Sequence, residues 1–201
     1  MTVTLLLIAA TVAVSVFAWR RPAVLHALLY WPPAVARGEW WRLLTHGFVH
    51  ADWGHLLVNM FVLYFFGSTM EHVLVGRIGE VGFALFYLAG IVLAILPTHL
   101  RHRRDPSYRS LGASGAVSAM LFAFILIQPW STLLVMFVPM PAIVFAVFYL
   151  WYEIRAERQG GDGVNHGAHV TGAVWGVAFM LLLEPRLLLL FFDRLLSPPW
   201  P

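Results

Sequence analysis

The chain has 201 residues, of which 60% are hydrophobic and only 11% charged, and its mean hydropathy is +0.77. Too few polar side chains remain to coat a water-soluble globule, and the same composition excludes a disordered chain. The net charge of +3 rests on 13 basic residues, all of them Arg, and the absence of Cys removes disulfides, thiol nucleophiles and thiolate metal sites.

The Arg residues fall between long apolar runs and not along one face, so membrane loops account for them and nucleic acid does not. The class is integral membrane protein. Met1 to Trp19 is uncharged and ends at Arg20-Arg21. A signal peptide carries its basic residues ahead of the apolar run, so this interval reads as a retained first span, 1–19. Arg20 to His50 is a 31-residue connection holding Trp31-Pro32-Pro33 and Trp40-Trp41-Arg42. Trp together with Arg suits the headgroup region, and a long interfacial loop between helices 1 and 2 is expected.

The next spans are placed at 53–70 and 81–100, 18 and 20 residues long. A helix of about 20 residues crosses a hydrocarbon core of about 30 Å. From Ser110 to Tyr152 there is no charge for 43 residues, and Gln128-Pro129-Trp130-Ser131-Thr132 divides them into spans at 111–127 and 132–152. Pro139 and Pro141 are expected to kink the fifth span, and Gly160-Gly161-Asp162-Gly163 to give it slack, so that it serves as a mobile gate. A sixth span is placed at 163–183, ahead of Glu184-Pro185, and 187–197 reads as an interfacial tail. The expected fold is an all-α membrane protein: one integral membrane domain, 1–201, built as a compact bundle of six transmembrane helices. Odd-numbered loops carry ten Arg and the other side three, which by the positive-inside rule puts the amino terminus outside.

Polar groups inside spans are costly unless paired, which makes each a functional candidate. His46 and His50 precede the second span, while His55 and Asn59 share one face within it. Interhelical hydrogen bonds or a metal site would each explain them. The fourth span opens with Leu111-Gly112-Ala113-Ser114-Gly115, either a small-residue packing motif or a hydroxyl left unshielded between glycines. Ser118 follows one turn later. In the sixth span His169, Gly172, Ala173 and Gly176 lie on one stripe, so small residues let a neighbouring backbone press against the imidazole. Ser114 is the obvious partner.

Together, Trp41-Arg42, His50-x4-His55-x3-Asn59, Gly112-x-Ser114-Gly115 and Ala168-His169-x2-Gly172-x3-Gly176 resemble the rhomboid family of intramembrane serine proteases, over roughly Trp40 to Gly176. The resemblance implies that Ser114 is the nucleophile and His169 the general base. It makes His55 and Asn59 oxyanion donors beside the Ser114 backbone N–H. His50, Gly112 and Gly115 become supporting residues, and Trp41, Arg42 and Glu71 structural ones. At the position four after the nucleophile, where bacterial members often carry an aromatic that packs on the imidazole, this chain has Ser118. The resemblance also places the amino terminus in the cytoplasm, opposite to the Arg count.

No carboxylate lies within the spans, so a Ser-His dyad without metal or cofactor is expected to cleave transmembrane segments of other membrane proteins, in a water-filled cavity. Substrates would enter sideways, and the resemblance implies a small residue at the cleavage point with Gly or Pro nearby. Membrane lipids are the other expected partners, nucleic acid is not one, and oligomeric state has no signal. The expected location is a bacterial plasma membrane. The alternatives are a catalytically inactive rhomboid-like protein that binds membrane clients, and a small His-lined metal or solute permease.

Overall fold

The computed structural model describes residues 2–198, and its framework is helical. Helix α1 (Thr2–Trp19) occupies the first predicted span apart from Met1, which lies outside the described residues. The connection that follows is folded into α2 (Pro22–Leu28), α3 (Pro32–Ala36), α4 (Arg42–Thr45) and a 3-10 turn, His46–Phe48. Proline opens α2 and α3, where its missing N–H costs nothing. Arg42, almost fully buried, gathers this segment. Its Nε donates to Glu39, and its Nη1 donates to the carbonyls of His26 and Leu29 at 2.5 and 2.8 Å.

Asp52 caps α5 (Trp53–Val62) by accepting the His55 backbone N–H at 2.8 Å. The helix passes through a π-helical turn, Leu63–Gly67, into α6 (Ser68–His102), which is broken at Gly79, φ 70° and ψ 172°. Only glycine takes that backbone without strain. Beyond the break the chain packs back, and Ile91 lies against Gly47. Buried Glu71 accepts the N–H groups of Val3 and Thr4, two of the donors that the start of α1 leaves unpaired.

At the centre stands α7 (Ser114–Ile127), eleven of whose 14 residues are buried. Against it lies α9 (His166–Leu183), in backbone contact. A Cβ on Gly172 would stand 1.9 Å from the Gly115 carbonyl oxygen, and one on Gly176 would stand 2.1 Å from that of Ala119. Both helices begin three residues later than the predicted spans. Gly112 (φ +114°) turns the chain ahead of α7, and Asn165 caps α9 by accepting the Ala168 N–H.

The fifth predicted span needs correction. Residues 132–141 form an antiparallel hairpin, β1 (Thr132–Val135) with β2 (Val138–Pro141), in the register Val135 to Val138 and Thr132 to Pro141. Its tip, Met136-Phe137, has positive φ at both residues, as a tight hairpin turn requires. Pro139 and Pro141 lack the N–H a helix needs there. Helix α8 therefore runs Ala142–Gln159, and the two prolines stand ahead of it and do not kink it. A charge-free apolar interval does not distinguish strand from helix, so the all-α expectation missed this hairpin. The tail is α10 (Leu187–Leu196), which leaves Leu189 and Phe192 exposed. Among the described residues Thr2–Trp19, Trp53–His102 and His166–Leu183 are long and apolar enough to cross a membrane, and Ser114–Ile127 is a shorter apolar helix.

Candidate active site

The positive φ of Gly112 ends the extended approach to α7 and sets Ser114 in its first turn. A side chain at 112 has no room, since its Cβ would stand 2.6 Å from the His55 ring. The backbone here is pinned from behind. The Gly112 N–H donates to the His46 carbonyl at 2.9 Å, and the Ala113 N–H donates to His50 Nε2 at 3.3 Å. Because His50 Nε2 accepts, Nδ1 carries the proton and faces Ser15 Oγ at 3.1 Å, which in turn donates to the Phe48 carbonyl at 3.0 Å. Burial, with His55 nearby, pushes the His50 imidazole down to about 3, and burial pushes His46 down to about 4. Both rings are neutral struts near neutral pH.

The first turn of α9 brings His169 to Ser114, with Nε2 2.7 Å from Oγ. Gly115 permits this approach, because a Cβ there would meet that of Ala94 at 2.5 Å and the Ala168 carbonyl at 3.3 Å. A cavity of about 770 Å³ is lined by Ser114, His169, His55, Asn59, Gly112 and Gly115. The Asn59 amide spends one N–H on the His55 carbonyl at 2.9 Å and keeps a second. The N–H groups of the first turn of α7 have no intrahelical partner, so they form an anion-favouring end of the cavity. The structure thus brings Ser114, His169, His55, Asn59, Gly112 and Gly115 to one cavity, with His50 supporting it from behind.

Two residues of α8 in this cavity were not singled out from the sequence. Tyr149 stacks on His169, ring centroids 6.4 Å apart and 26° from parallel, and its hydroxyl lies 2.7 Å from Ser118 Oγ. Glu153, only 4% exposed, places Oε2 2.9 Å from His169 Nδ1 and 2.5 Å from His166 Nδ1. The expectation that no carboxylate orients His169 is corrected by this contact. A span that ends at the charge of Glu153 leaves this carboxylate out, whereas α8 continues through it. On its far side His166 Nε2 meets Asp162 Oδ2 at 2.9 Å. The His166 contact and the Val164 backbone N–H hold the exposed Asp162 carboxyl below the usual carboxylate range. Asn165 was also missed. It accepts from Thr98 Oγ1 at 2.9 Å and donates to Ser110 Oγ at 3.3 Å, joining α6, α9 and the approach to Ser114. Glu153, His166 and His169 are also the one trio of potential metal ligands close enough to share an ion among the described residues.

A model of the Rhomboid domain family matches residues 37–186. RHOMBOID-like protein 12, mitochondrial, of Arabidopsis thaliana is 33% identical over 148 residues, covering 68% of this chain and 44% of its own. Rhomboid-like protein 11, chloroplastic, of the same plant is 32% identical over 158 residues, 72% of this chain and 53% of its own. The putative rhomboid protease YdcA of Bacillus subtilis is 32% identical over 111 residues, 55% of this chain and 50% of its own. The chain thus spans about half the length of these relatives. Relatives named mitochondrial and chloroplastic stand beside a bacterial one, so they do not single out the expected bacterial plasma membrane. They and the apolar helices support a multi-pass integral membrane protein.

Proposed function

The chain belongs to the rhomboid family, and from that premise we propose that it is an intramembrane serine endopeptidase in which Ser114 is the nucleophile and His169 the general base. The observation that carries this reading is the 2.7 Å contact of His169 Nε2 with Ser114 Oγ inside a cavity shared with His55 and Asn59. A serine hydroxyl is a poor nucleophile until a positioned base takes its proton. Ser114 Oγ bonds to the scissile carbonyl carbon while its proton passes to His169 Nε2. That proton then goes to the leaving nitrogen as the C–N bond breaks. Water repeats the sequence: its oxygen bonds to the acyl carbon, its proton goes to His169, and Ser114 leaves as the alcohol. The oxyanion of each tetrahedral intermediate is held by Asn59, His55 and the N–H groups opening α7.

Six spans in one membrane domain fit this reading, with the Gly79 break letting Trp53–His102 cross twice and α8 serving as the fifth. Substrates are transmembrane segments of other membrane proteins. Val58 of α5 and Phe145 of α8 both line the cavity, which favours lateral entry between these helices. Because the chain has no Cys, Val58→Cys with Phe145→Cys gives a unique pair for cross-linking. Bridging it is expected to stop cleavage of a membrane-embedded substrate, and undiminished cleavage would sink the lateral route.

The first test is a fluorophosphonate probe on detergent-solubilised protein, compared with Ser114→Ala and His169→Ala. Labelling of the wild type alone is expected. A folded sample that does not label would favour a catalytically inactive client-binding protein. The permease reading would use His50 and His55 as metal ligands, and it is weakened because both ring nitrogens of His50 are committed to Ala113 and Ser15.

A further inference from the structure

We propose that Glu153 is a positioning residue for His169, fixing the tautomer that leaves Nε2 free toward Ser114, and that His166 and Asp162 hold Glu153 in place. The proposal rests on the protease reading for its consequence, though not for its geometry.

The proton count follows from who faces whom. An ionised carboxylate only accepts, so the imidazole nitrogen turned toward it must carry the hydrogen. Glu153 Oε2 lies 2.9 Å from His169 Nδ1, which makes Nδ1 the donor and leaves Nε2 as the lone pair facing Ser114 Oγ. With the proton on Nε2 instead, the ring could not act as base and its Nδ1 lone pair would face a carboxylate oxygen. A serine-base pair therefore benefits from a third group, and the chain supplies one from a different helix.

Glu153 is itself clamped. The same Oε2 lies 2.5 Å from His166 Nδ1, and the opposite ring nitrogen of His166 lies 2.9 Å from Asp162 Oδ2. Both nitrogens of His166 face carboxylate oxygens, so two donor contacts put a proton on each. The positive ring lies between two negative groups and favours the ionised form of Glu153. His166 and His169 are three apart in the first turn of α9, so they approach Glu153 from one face. An unbroken chain of contacts thus runs from exposed Asp162 through His166, Glu153 and His169 to Ser114. A carboxylate that only joined α8 to α9 would fix the same tautomer, so the reactivity of Ser114 is what separates positioning from joining.

Two readouts test this. Protein labelled with ¹⁵N in its imidazoles reports the tautomer of each ring, and His169→Asn assigns the relevant signals by their loss. Wild type is expected to show His169 protonated at Nδ1. Glu153→Leu, of similar size but with no acceptor for Nδ1, is expected to release that preference, so that Nε2 carries the proton in part of the molecules. Fluorophosphonate labelling of Ser114 should fall by about 10²–10⁴-fold, the upper figure being the effect of an Asp→Asn change in a soluble serine protease. The unfolding midpoint, read on the same samples, separates this from a loss of fold. His169 protonated at Nε2 in the wild type would overturn the proposal. So would folded Glu153→Leu protein that keeps both its tautomer and its labelling rate within twofold. If Glu153→Leu does not fold, Asp162→Asn loosens the same clamp from its exposed end and is expected to slow labelling several-fold, and a rate within twofold of wild type overturns the proposal. Wild type with Nδ1 protonated but unreactive toward the probe supports the positioning and sinks the protease reading, so the two failures are separable.

Discussion

Ser118 Oγ lies 2.7 Å from the Tyr149 hydroxyl, and the ring held there stacks on His169. The aromatic that the resemblance led one to look for at position 118 is supplied instead from α8, and the small Ser leaves room for it. Tyr149→Phe keeps the ring and loses the hydroxyl contact, so its fluorophosphonate labelling rate should stay within a few-fold of wild type. Tyr149→Ala removes the stack and should slow labelling at least about tenfold, a loss of roughly 1.4 kcal/mol in transition-state stabilisation. A double-mutant cycle with Ser118→Ala should show coupling for the Tyr149→Phe change. Equal rates for Phe and Ala at 149 would mean the ring does not orient His169.

Oxyanion donors act in parallel, and that sets an order of severity. Removing one donor from a soluble serine protease costs about 10²–10³ in turnover. Asn59→Ala should fall in that range or below it, since His55 and the α7 N–H groups remain, whereas Ser114→Ala should abolish labelling. Complete loss in a folded Asn59→Ala protein would count against the shared-donor assignment.

Close contact of α7 with α9 predicts a sharp contrast between glycines. Gly172→Ala drives a Cβ into the Gly115 carbonyl, backbone that has no rotamer to retreat to. Overpacking costs about 1–3 kcal/mol in ordinary cores, and this site should lie at or above the upper end. Gly76→Ala, in the first part of α6 with open space around its Cβ, should be neutral or gain up to about 1 kcal/mol in helix propensity. Unfolding midpoints in one detergent compare the two. Similar midpoints would show that the backbone contact is not what holds α9.

The struts behind Ser114 predict a direction for pH. His50 and His46 are held down to about 3 and about 4, chiefly by burial, against about 6.5 in the unfolded chain. Between those values the unfolded chain binds more protons at these two rings, so their contribution to stability falls as pH falls below about 6.5 and is level above it. His50→Gln should flatten the slope of unfolding midpoint against pH between about 6.5 and 5, before most carboxylates titrate. A slope identical to wild type would remove His50 from this role.

How much was legible in the sequence follows from what kind of signal each residue leaves. Ser114, His169, His55 and Asn59 are polar residues in apolar runs, so they stand out by cost alone, and the glycines mark where backbones meet. Glu153 leaves no such trace. It lies near charged Arg155 and Glu157, where it reads as the edge of a span, and only the packing of α8 on α9 turns it inward. Tyr149 is one aromatic among many in α8, and its pairing with Ser118 is a tertiary contact across 31 positions. The hairpin at 132–141 was hidden for another reason: its residues are as apolar as a span, and the prolines were read as kinks in a helix they actually precede.

The seam between α7 and α9 has main chain in contact at Gly172 and Gly176, whereas α8 meets α9 through side chains that include Glu153 and Tyr149. Any outward swing of α8 wide enough to admit a helix would carry both residues off His169. Opening the door and arming the base are then mutually exclusive conditions, and an enzyme built this way would be inert while it is accessible. On the proposed protease reading, a substrate would be cut only after α8 has closed around it.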